Sequence, residues 1–214
     1  MLKVGVLISG RGSNLQSLIA ACATPGFPAR IVCVVSNKED AKGLDYAREA
    51  SIPTIVISHK KYIDRQSFEA AINEFLQEND VELVCLAGFM RLLTAWFTER
   101  WRDRLVNIHP SLLPAFPGVD THQKVLDYDA KVTGVTIHFV RSEMDHGPII
   151  LQAVVPVLHG DTEESLAARV LYAEHKAYPA ALRMIAENRV NIHDEHAFIA
   201  DAKPSADVLF NPKA

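Results

Sequence analysis

The strongest constraint in this chain is the regular succession of short apolar runs and longer segments with a helical period. Residues 3–9 (KVGVLIS), 30–36 (RIVCVVS), 53–57 (PTIVI) and 81–87 (VELVCLA) read as four strands, because short runs this rich in aliphatic residues fit strands covered on both faces. Segments 14–23 and 41–50 read as helices between them. A third helix is the clearest, with Phe68, Ala71, Ile72, Phe75 and Leu76 at i, i+3, i+4, i+7 and i+8 on one apolar stripe. Strands alternating with helices imply parallel pairing, right-handed crossovers and a sheet covered on both sides. The expected class is α/β. Further on, 105–108 gives a short strand ending in His-Pro, 131–141 and 149–157 give two more divided by MDHGP, and 163–187 a long helix. From Asn188 the period fades into a tail with Pro204 and Pro212. The expected organisation is one domain over 1–189 and an extension over 190–214.

Composition removes several function classes. The chain has 214 residues, 49% of them hydrophobic, enough for a core without staples. Its 22 Lys and Arg against 26 Asp and Glu leave no basic surplus for a nucleic acid. The first residues meet polar positions too soon for a secretory signal, and no run approaches the ~18 apolar residues of a membrane span. Cys22, Cys33 and Cys85 form neither a disulfide framework nor a zinc pattern. A cytoplasmic, metal-independent protein acting on small molecules is expected, without nucleic-acid or membrane partners, as a monomer or homodimer.

Three segments could carry chemistry. Ser9-Gly10-Arg11-Gly12-Ser13-Asn14 joins the first strand to the first helix, where glycines let backbone approach a phosphate and the helix N-terminus favours an anion. It matches neither a dinucleotide fingerprint nor a P-loop, and a plain turn with an N-cap uses the same residues. Asn107-Ile108-His109 ends a strand, so alternation sends Asn107 and His109 to one side. An amide donor beside an imidazole suits a developing oxyanion and a proton transfer, although a strand-end pair bonded to nearby loops looks alike. Asp145-His146-Gly147-Pro148 follows a hairpin arm containing His138. A carboxylate there raises the pKa of an imidazole it reaches, while Asp, Gly and Pro are also ordinary turn residues. No spacing supplies a close pair of metal ligands.

Taken together, KVGVLISGRGSNLQSLI, LAGFMRLLT, NIHPSLLPAFPG and TGVTIHFV followed by MDHGPII resemble the folate-dependent formyltransferases, with GRGSN and PAFPG similar to the glycinamide branch. The resemblance implies an open, mostly parallel twisted sheet of Rossmann-like kind, flanked by helices. It implies formyl transfer from 10-formyltetrahydrofolate, as cosubstrate, to phosphoribosylglycinamide in purine biosynthesis, without a metal. Carried over by position, it assigns Asn107, His109 and Asp145 to catalysis, and Gly12, Ser13, Asn14 and Glu174 to the ribonucleotide. It assigns Arg65, Met90, Arg91, Leu92, Leu93 and Asn107 to the folate, with backbone near residues 141–145 at the pterin. The N-terminal half would hold the ribonucleotide and the C-terminal half the folate. A cis peptide is implied at Leu113–Pro114.

Overall fold

A computed structural model describes residues 1–203 and Asn211. Pro204 and Pro212 lie outside the described residues. Strands β1 (Leu2–Ile8), β2 (Ala29–Ser36), β3 (Thr54–Val56), β4 (Leu83–Leu86), β5 (Leu105–His109), β6 (Val132–Phe139) and β7 (Ile149–Pro156) form one sheet in the order β3-β2-β1-β4-β5-β6-β7. The first five pair in parallel, and β6 and β7 are antiparallel additions. This is the mostly parallel, helix-flanked sheet expected from the alternating pattern.

Alternation along β1 decides which helices pack where. Val4, Val6 and Ile8 join a core with α1 (Ser13–Cys22), α2 (Gly43–Glu49) and α6 (Glu163–Ala186). Leu7 points to a second core, with α3 (Arg65–Glu78) and α4 (Ala95–Arg100) on the other face. The apolar stripe of α3 is buried there through Phe68, Ile72 and Leu76. Its first turn is fixed by Asp64, whose carboxylate accepts from the Ser67 N–H at 2.7 Å.

Two helices lie where no period stood out, α4 and α5 (Thr121–Asp127). Six and seven residues are too few to display a repeat of 3.6. The tail also contains structure. Strands β8 (Val190–His193) and β9 (His196–Ile199) form a separate antiparallel hairpin. The Leu113–Pro114 bond is cis. Among the described residues, no helix is long and apolar enough to cross a membrane.

Candidate active site

In this strand order the winding reverses between β1 and β4, so the loops leaving β1, β4 and β5 border one crevice at the carboxyl end of the sheet. The first of these loops turns into α1 at Gly12, whose φ of 75° lies in the left-handed region. No side chain caps α1, so its first N–H groups stay free to meet an anion. Gly12 has a packing duty as well, because a Cβ there would stand 2.3 Å from the Gly43 Cα of α2. Substituting Gly12 would therefore disturb the fold together with any ligand. Gly10 has nothing within 4 Å of the equivalent position.

Ser13 opens α1, and the Asn14 amide donates to the Glu174 carboxylate of α6 at 2.7 Å. The other end of that amide, Asn14 Oδ1, is buried without a partner among the described residues. Glu174 reaches this point because Tyr178, one turn along on the same face, anchors α6 to the sheet. The Tyr178 hydroxyl is fully buried and donates toward the carbonyls of Leu86 (3.0 Å) and Val106 (3.2 Å). Burial pushes the Glu174 carboxyl above its ordinary value, against the opposing effects of Asn14, His109 and Arg11.

β5 runs to His109, so Asn107 and His109 share a side of the strand. Asp145 arrives from the loop after β6, its Oδ1 3.4 Å from His109 Nδ1. Its Oδ2 accepts from the Gly118 N–H at 2.6 Å, fixing the carboxylate against the loop that follows β5. The other ring nitrogen, His109 Nε2, lies 3.0 Å from the Phe116 carbonyl. Both ring nitrogens thus face acceptors, an arrangement that only the doubly protonated imidazolium satisfies. Burial pushes the His109 pKa down, but the bonds to Asp145 and Phe116 and the charges of Asp145 and Glu174 outweigh it and leave it raised. The partner responds oppositely: burial pushes the Asp145 carboxyl up, yet the bonds to His109 and Gly118 and the His109 and His138 charges hold it below its usual range.

His138 stands directly opposite Asn107 in the β5–β6 register. Its Nδ1 lies 2.9 Å from the Phe139 carbonyl, which fixes that nitrogen as the donor and leaves Nε2 to accept from Asn107 Nδ2 at 3.4 Å. Burial pushes the His138 pKa below its ordinary value, so this imidazole stays neutral and keeps its acceptor. The sequence placed His138 on the hairpin arm without pairing it with Asn107, because the register of an antiparallel pair is not written in either strand alone.

The loop after β4 is held at both ends. Ser9 Oγ accepts from the Met90 N–H at 2.8 Å and donates to Asn37 at 2.6 Å. At the far end, buried Glu69 accepts from the Thr94 N–H at 2.8 Å and from the Thr94 hydroxyl. Between these anchors Met90 and Leu92 are 66% and 59% exposed. Ordinary core residues would not be, whereas Leu93 packs partly buried on the α3 side. Burial and then the charges of Arg91, Lys60 and Lys38 push the His59 pKa down, which puts the Arg91 charge within reach of His59. Arg65 is exposed on the first turn of α3, outside the hydrogen-bonded cluster. Among the described residues no group of three or more His, Cys, Asp or Glu is placed to hold a metal ion.

The family model described as formyl transferase matches residues 2–182. The phosphoribosylglycinamide formyltransferase of Haemophilus influenzae is 42% identical over 93% of this chain and 94% of its own length. The trifunctional purine biosynthetic protein adenosine-3 of Bos taurus is 52% identical over 89% of this chain, which spans only 19% of that relative. The crystal structure of glycinamide ribonucleotide transformylase 1 from Symbiobacterium toebii superposes with a TM-score of 0.92 at 46% identity, covering 94% of this chain and 95% of the other.

Proposed function

The chain belongs to the formyl transferase family, and we propose that it moves the formyl group of 10-formyltetrahydrofolate to the amine of phosphoribosylglycinamide, a step of purine biosynthesis. The observation that carries this reading is the ring of His109 held between two acceptors, on the same side of β5 as the Asn107 amide. Attack of the amine on the formyl carbon gives a tetrahedral oxyanion. Asn107 Nδ2 has two N–H groups; one is spent on His138, and the other donates to that oxygen. His109 donates through Nε2 as the substrate oxygen displaces the Phe116 carbonyl, while Asp145 keeps the ring charged and oriented. The amine loses a proton and the departing folate nitrogen gains one, so the exchange is balanced without a covalent enzyme intermediate. Most of the remaining catalysis is alignment of two substrates.

The ribonucleotide subsite comprises Gly12, Ser13 and Asn14 with Glu174, and the folate subsite Arg65, Met90, Arg91, Leu92, Leu93 and Asn107. The unpartnered Asn14 Oδ1 supports the first, since a substrate N–H or O–H would satisfy it. The exposed side chains of Met90 and Leu92 on an anchored loop support the second. An assay of formyl transfer to phosphoribosylglycinamide, with a sugar-nucleotide amine as competitor, tests the reading. Turnover of the ribonucleotide is expected; turnover of the competitor alone, or of neither, contradicts it.

Two variants separate the subsites. Gly10→Val adds bulk where the structure leaves open space. Displacing an anion from one charge-assisted bond at ~1.5–3 kcal/mol raises the ribonucleotide KM roughly 10- to 100-fold. The folate KM and melting temperature stay put, and a parallel rise in both KM values would contradict the phosphate subsite. Leu92→Gln removes apolar contact worth ~1.5–3 kcal/mol when buried by a ligand, so the folate KM rises at least about tenfold. At 59% exposure the same change leaves stability nearly untouched. A drop in melting temperature with an unchanged folate KM would make Leu92 a packing residue.

A further inference from the structure

The hairpin after α6 has no part in the chemistry above, yet its turn reaches the loop that carries Asp145. Asp194 and Glu195 close the hairpin, both at positive φ (48° and 60°), as a tight two-residue turn requires. Val190, Ile192, Ala197 and Ile199 alternate onto the main core and seat the hairpin there. From the turn, Glu195 Oε2 accepts from Arg141 Nε at 2.5 Å, and Oε1 accepts from Arg102. Arg141 also donates from Nη2 to Asp103 Oδ1 at 2.7 Å. One guanidinium therefore ties the segment before β5, the segment after β6 and the hairpin together. Arg141 is 8% exposed, whereas Asp103 and Glu195 are about half exposed.

Arg141 forms the base of the Asp145 loop. Its N–H donates to the His146 carbonyl at 3.1 Å. Its Cγ lies 3.2 Å from the place where Gly147 would carry a Cβ, so the side chain packs directly against the loop. Asp145 itself has φ 53°, a left-handed conformation that a non-glycine residue keeps only when its surroundings enforce it.

We infer that the β8–β9 hairpin is a strut, and that Arg141 and Glu195 are positioning residues which hold the 141–147 loop where Asp145 meets His109. This rests on the role of Asp145 proposed above. The charges that raise the His109 pKa are those of Asp145 and Glu174, so Glu195 acts on His109 through geometry and not through its own field.

Glu195→Gln in the full chain keeps the side-chain shape and removes the charge. Its ion pairs are partly exposed, so the melting temperature changes little. The expected kcat is about three- to tenfold lower, short of the ~10²-fold that a 1 Å misplacement costs. The ribonucleotide KM stays nearly constant, and the His109 resonance titrates at lower pH than in the parent. Arg141→Lys keeps a charge but loses the fork, and moves both readouts the same way. Adding Glu195→Gln to Arg141→Lys then has less effect than it has alone, because the two act along one route. Parental kcat and parental His109 titration in Glu195→Gln would overturn the strut. Absence of transfer in the parent would instead overturn the proposed function, and the titration would still report on the strut.

Discussion

Asn107→Ala is expected to lower kcat for formyl transfer by about 10²–10³-fold, the usual consequence of deleting one oxyanion donor. The ribonucleotide KM should move far less, because the lost bond forms chiefly in the transition state. A stability cost accompanies it. His138 is 1% exposed and accepts from Asn107, so the truncation orphans its Nε2. A buried acceptor left unpaired costs about 1–3 kcal/mol. Rates are therefore to be measured well below the lowered melting temperature. A kcat within threefold of the parent would remove Asn107 from the oxyanion site.

Asp145→Asn is expected to lower kcat by about 10²–10⁴-fold, the range spanned by a positioned acid or base. Asparagine keeps the shape but presents no charge to His109 Nδ1, so the imidazolium loses its main support. Activity that needs the charged ring falls as pH rises through the His109 pKa, and this alkaline limb moves to lower pH in the variant. Stability follows the same linkage. The raised His109 pKa stabilises the fold fully below the unfolded value of ~6.5, and that contribution is lost as pH rises through the folded value. The lowered Asp145 pKa stabilises it above ~3.9, and that contribution is lost as pH falls through the folded value. The stability difference between parent and variant should therefore be largest between about pH 4 and 6.5.

What the sequence disclosed depended on distance along the chain. Strand and helix periods are local, so β1 to β4 and α3 were readable to within a few residues, and with them the site of the crevice. Contacts made by chain crossing were not. Asn107 meets His138 only through the antiparallel register of β5 and β6, and Asp145 faces His109 while its other oxygen accepts from the distant Gly118 N–H. Glu174 stands out only through the family resemblance, and its reach to Asn14 depends on Tyr178 anchoring that face of α6. The hairpin was hidden for a different reason: its strands have four residues each, and Asp194-Glu195 lacks the glycine that usually announces such a turn. Gly12 was readable as a loop glycine, but its contact with Gly43 was not, which moves the test of the phosphate subsite to Gly10.

In the proposed mechanism Asp145 raises the His109 pKa and keeps the ring available as a donor. NMR titration of the His109 ring in the parent and in Asp145→Asn tests it directly. His138 and His122 are the neighbouring imidazoles to be resolved from it, and burial first of all pushes both of their values down. The parent His109 should titrate above the ordinary histidine value of ~6.5, and in Asp145→Asn its pKa should fall. An unchanged His109 titration in the variant, accompanied by nearly full activity, would contradict the account and reduce Asp145 to a turn residue.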